Sequence, residues 1–129
     1  MEEIQEEKMR VIFISVLLFL MTVSGGVVAA SFEDGLTHFG NGDYSAAYKV
    51  WAPLAEAGDS SAQYYVGQML YQGRGITRNL KMAYVWLTLA SEAGMDMASD
   101  LLPDVKEELS EAQISEANML AKDFSKKKP

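Results

Sequence analysis

The sequence predicts an all-α fold: a short α/α superhelix of about six helices in three antiparallel pairs, preceded by a signal-peptide helix. Three observations lead there. After position 31 the β-branched residues are sparse and no stretch alternates for long, while Ala, Leu, Met, Glu and Gln dominate. Gly, Asp, Asn and Ser cut the chain into short pieces of helix length. Shifted by 36 residues, the chain overlays itself.

The elements follow in order. Val11–Ala30 holds 15 apolar residues in 20, and its dense part, Val11–Val23, is 13 long. That length fits the apolar region of a signal peptide better than a membrane span, which needs about 20 residues. Gly25-Gly26 interrupt it, and Val28 and Ala30 give the small side chains a signal peptidase requires for a cut before Ser31. Glu2, Glu3, Glu6 and Glu7 carry the wrong charge for a signal leader, whereas Met9-Arg10 abuts the apolar run, so Met9 is read as the start and residues 1–8 as an upstream extension. The alternative is retention of Val11–Ala30 as an amino-terminal anchor.

A helical repeat domain is assigned to residues 31–124 and a disordered basic tail to 125–129. The first helix is Phe32–Gly40. Asp43 caps the second, Tyr44–Ala57, and Gly58 ends it. Asp59 or Ser60 caps the third, Ser61–Gln72. After the loop Gly73–Arg78, Asn79 caps the fourth, Leu80–Ala93, and Gly94 stops it. The fifth spans Met97–Leu109 with a break expected near Leu102-Pro103, because proline removes a helical N–H and crowds the preceding turn. Ser110-Glu111-Ala112-Gln113 is a capping box that opens the sixth, which runs to Phe124.

In the self-overlay Ala47-Tyr48 falls on Ala83-Tyr84, Glu56-Ala57-Gly58 on Glu92-Ala93-Gly94, Ala62 on Ala98, and Asp43 on Asn79. These are positions where a helix pair is selective: Ala where helices cross, Gly where the chain leaves a helix. The stretch Ala62–Gly94 carries Val66-Gly67, Gly73-x-Gly75-Ile76, Ala83, Trp86 and Gly94. In this spacing it resembles the Sel-one-like repeat family, relatives of the tetratricopeptide repeats, and in particular its small exported bacterial members. Leu70 with Tyr71 stands where an aromatic residue is usual, and Asn79 where Asp is usual. The resemblance implies a stack of helix pairs and a role as an adaptor rather than an enzyme.

Composition excludes several functions. The chain has no cysteine, hence no disulfide, thiolate nucleophile or Cys-ligated metal. His38 is the single histidine and is read as a surface or half-buried structural residue. The 129 residues carry 11 basic and 18 acidic side chains, net −7. Removing the two basic and four acidic residues before Ser31 leaves 9 and 14, net −5. Nucleic acid is therefore not expected as a partner. Gly73-Arg74-Gly75 lacks the following Gly-Lys-Ser/Thr of a phosphate loop. Asp104, Glu107, Glu108 and Glu111 are read as a solvated face, and Ser125-x-x-Lys128 lies in the tail. No residue is assigned a catalytic, cofactor-binding or metal-binding role.

Trp86 and Tyr84 are expected in the core. The candidate partner-binding residues are Tyr64, Tyr65, Gln68 and Gln72, on a helix expected to line the inner surface of the stack. Packing of Tyr65 and Tyr71 against flanking helices is the competing expectation. The function expected is a non-catalytic interaction module of the cell envelope, periplasmic or secreted, that binds a protein or peptide along its groove. The alternatives are an inner-membrane-anchored accessory subunit of an envelope complex, touching the membrane only through an uncleaved amino-terminal segment, and a cell-wall-directed hydrolase.

Overall fold

The computed structural model of the chain describes residues 3–9 and 29–127. The apolar stretch read as a signal segment lies, but for Ala29 and Ala30, outside the described residues. Residues 3–9 are helical and exposed. The packed domain consists of α1 (Phe32–Gly40), α2 (Tyr44–Glu56), α3 (Ser60–Gln72), α4 (Leu80–Glu92), α5 (Asp96–Glu107) and α6 (Glu111–Lys126). There is no strand among the described residues.

The helix boundaries follow from side chains that satisfy the orphan amides of each first turn. Asp43, Asp59 and Asn79 accept from the amides of Ala46, Ala62 and Met82. Ser110 and Gln113 form the expected reciprocal box. A second box, not anticipated, opens α1: the Ser31 side chain accepts from Asp34 N, and Asp34 Oδ2 accepts from Ser31 N at 2.8 Å. Residues separated by 36 do the same work. Asp43 and Asn79 are caps, Ala47 and Ala83 are wholly buried, as are Ala62 and Ala98, and Gly58 and Gly94 leave their helices at φ +100° and +90°.

The expected break at Leu102-Pro103 does not occur: α5 is continuous from Asp96 to Glu107. Pro103 and Ser99, whose carbonyl loses its donor, are both exposed, so the missing hydrogen bond falls on the solvent side of the helix, where it costs least. Half-buried Leu101 and Leu102 before the proline, and fully buried Val105 after it, hold both sides of the helix to one core. Pro53 is likewise an exposed proline within α2. At the other end, α6 runs past Phe124 to Lys126, and that lysine sits favourably at a helix carboxyl end.

The core centres on α4, which packs against α3, α5 and α6. Val85 and Leu87 are fully buried, and Trp86 is 6% exposed. Tyr84 is half-buried. Gly67 of α3 allows the close crossing with α4, since a Cβ there would stand 2.8 Å from Leu87 Cγ. The helices of the third pair, α5 and α6, make little contact with each other and are held together through α4. Ala117 and Ala121 of α6 are buried, Phe124 lies 4.9 Å from the Trp86 ring, and Lys81 pairs with Glu116 at 3.0 Å.

Candidate functional site

The third helix carries all four residues proposed from the sequence, and its neighbours divide them. Tyr64, 7% exposed, accepts at its phenol oxygen from Gln68 Nε2 at 3.2 Å, one helical turn on. Burial, then the adjacent Tyr65, raises the Tyr64 phenol above the usual tyrosine pKa. Tyr64 and Gln68 line an open groove of ≈ 300 Å³ between α3 and α5, whose other wall is Met97, Asp100 and Leu101. Met97 is 55% exposed.

Tyr65 belongs elsewhere. Its ring centroid is 4.5 Å from that of Trp51, 5.6 Å from Phe32 and 5.8 Å from Phe39. This aromatic cluster fastens α1 and α2 to α3. Trp51 is completely buried at its centre, with its indole N–H donating to the Phe32 carbonyl at 3.0 Å. Gln72 is exposed at the end of α3 and does not line the groove. Met97, Asp100 and Leu101 were not singled out in the sequence. Their spacing of three and four residues marks one face of a helix, and that was the available signal.

Several other polar groups tie elements of the fold together. Arg78 donates through Nε to the Tyr71 carbonyl at 2.8 Å and through Nη2 to Glu108 at 2.7 and 2.9 Å, tying the Gly73–Asn79 connection to the end of α5. These hydrogen bonds hold the Glu108 carboxyl below the usual glutamate range. Burial, followed by Glu108, pushes the Tyr71 phenol up. His38 Nδ1 faces Asp43 at 4.0 Å. Asp104, Glu107 and Glu111 are exposed, and no group of His, Asp and Glu suited to a metal ion occurs among the described residues.

Residues 60–95, which comprise α3, its loop and α4 through to Met95, match the Sel1 repeat. A similar protein is the alginate biosynthesis protein AlgK of Pseudomonas aeruginosa, 41% identical over 68 residues. That stretch is 53% of this chain but 14% of the relative, so the chain spans about a seventh of that protein's length. No solved structure matches the chain.

Proposed function

The chain carries a Sel1 repeat, and from that premise we propose that it is a non-catalytic protein–protein interaction module of the cell envelope, binding a protein or peptide in the groove between α3 and α5. The observation that carries the reading is the groove itself. It combines an exposed methionine, an apolar Leu101, the edge of a buried tyrosine and the polar groups of Gln68 and Asp100. Methionine adapts its shape to an apolar partner, and the amide and carboxylate can take up a peptide backbone or a donor side chain. Helical-repeat surfaces serve this purpose generally. The envelope assignment rests on the apolar run Val11–Val23 followed by small residues up to Ala30. No helix among the described residues is long and apolar enough to cross a membrane.

The test is capture of partners from an envelope extract by the wild-type protein and by a Gln68→Ala/Met97→Ser variant. Met97 is exposed, whereas Gln68 is half-buried and donates to the Tyr64 phenol, so the variant should lose about 1–2 kcal/mol and remain folded. Loss of the specific partner by a variant that is still folded at the assay temperature is the expected result. Retention of every partner at unchanged affinity would overturn the groove assignment.

A further inference from the structure

A second cleft lies where three helices end. The carboxyl-terminal ends of α2, α4 and α6 converge on a hollow of ≈ 190 Å³ whose walls include Glu56, Gln63, Trp86, Glu92 and Phe124. Glu56 is the last residue of α2 and Glu92 the last of α4, one repeat apart. A helix carboxyl end carries a partial negative charge, about half an elementary charge, and ordinarily attracts basic side chains. Neither α2 nor α4 has a basic residue in its last turn; each places a glutamate there instead.

Both carboxylates are exposed and enter no salt bridge among the described residues. Lys126 and Lys127, the nearest basic residues of α6 and its cap, are exposed and pair with neither.

Gln63 supplies an independent sign of a ligand. It is 6% exposed, and its Nε2 donates to the Ala55 carbonyl at 3.1 Å. That bond fixes the amide, and Oε1 makes no hydrogen bond among the described residues while the side chain lines the cleft. Oε1 is thus a fixed, free acceptor open to the cleft, placed to receive a donor that enters it. The Trp86 and Phe124 rings, 4.9 Å apart, add π-faces to the same wall. A donor that is also cationic satisfies all of these groups together.

We propose that this cleft binds an arginine or lysine side chain of a partner protein. The cationic head lies between Glu56, Glu92 and Gln63 Oε1, and the alkyl stem lies along Trp86 and Phe124. The volume suits one side chain and is below the several hundred Å³ typical of free-standing small-molecule sites. Two exposed carboxylates and one amide beside aromatic walls do not make the six or more oxygen ligands of a hard divalent cation. From Ser31 onward the net charge is −5, 9 basic against 14 acidic side chains, and this draws a basic partner toward the chain.

The experiment is a titration of the 15N-labelled protein with N-acetylarginine amide, N-acetyllysine amide and the neutral N-acetylnorleucine amide, followed by NMR. The two cationic probes should shift the Trp86 indole and Gln63 side-chain amide resonances saturably, and the neutral probe should not. A Glu56→Gln/Glu92→Gln variant should bind the cationic probes at least about tenfold more weakly while melting no lower than the wild type, since it removes two acidic side chains from helix carboxyl ends, and added salt should weaken wild-type binding. Equal response to the neutral probe, absence of a saturable shift, or unchanged affinity in the double variant would each overturn the proposal. The α3–α5 groove contains none of these residues, so failure of one site leaves the other standing.

Discussion

Gly35→Ala probes the contact on which the attachment of α1 depends. Gly35 is buried in the middle of α1, and a Cβ there would run into the Trp51 indole, whose Cδ1 would stand only 2.6 Å away. The indole has little room to retreat: it is fully buried, hydrogen-bonded to Phe32, and flanked by the rings of Phe32, Phe39 and Tyr65. Overpacking a core of this kind costs about 1–3 kcal/mol. The upper end applies here, because the obstruction is a rigid ring held on several sides. Displacing the indole also loses its hydrogen bond, about 1 kcal/mol. Alanine offsets about 1 kcal/mol through its better helix propensity.

The net destabilisation is about 2–3 kcal/mol, which lowers the melting temperature of a domain this size by roughly 10–20 °C. Gly40→Ala on the same helix is the control, since a Cβ there meets nothing within 4 Å. It should stay within about 0.5 kcal/mol of wild type. Far-UV circular dichroism gives the melting curves, and near-UV signals report the Trp51 environment. A Gly35→Ala protein melting within about 3 °C of wild type would refute the account of Trp51 as a locked ring.

Two further outcomes follow from the loops. Gly94→Ala should cost about 1–2 kcal/mol in urea unfolding, from its φ of +90° alone, since nothing lies within 4 Å of an added Cβ. Gly75→Ala should cost at least about 1 kcal/mol more, because besides a φ of +71° its Cβ would stand 2.6 Å from the backbone of Tyr44 and Ser45; equal costs would contradict this. The Arg78–Glu108 pair predicts a pH dependence. Its folded carboxyl titrates below the ordinary 4.5, so its contribution is fully present above that value and is lost as pH falls through the lower folded value. The stability difference between wild type and Glu108→Gln should therefore be constant near neutrality and shrink below pH 4.5; a difference that grows on acidification would contradict the pairing.

The local features of the fold were legible in the sequence because they are decided locally. Asp43, Asp59, Asn79 and Ser110 cap helices through bonds spanning three residues, and Gly58 and Gly94 turn the chain beside the helices they end. Continuity through Pro103 was not legible, since it depends on which side of α5 faces water. The second capping box has its own signature, Ser31-x-x-Asp34, at the very residue that the expected cut would expose. The candidate site was legible in half. Tyr64 and Tyr65 are adjacent and chemically alike, yet one edges the groove and the other packs against Trp51. Which does which is set by α1 and α2 packing from far along the chain, as is the Trp51 bond to a carbonyl 19 residues away.

The groove between α3 and α5 also limits what can be recognised. Packed helices lie about 8–10 Å apart. An extended chain crossing from one to the other covers that distance in about three residues, at roughly 3.3 Å each. A ligand lying across this groove is therefore read over a tripeptide-length footprint. Selectivity in so short a footprint rests on one or two side chains meeting Met97, Leu101 and the Tyr64–Gln68 pair, and the remainder of any partner is free to vary.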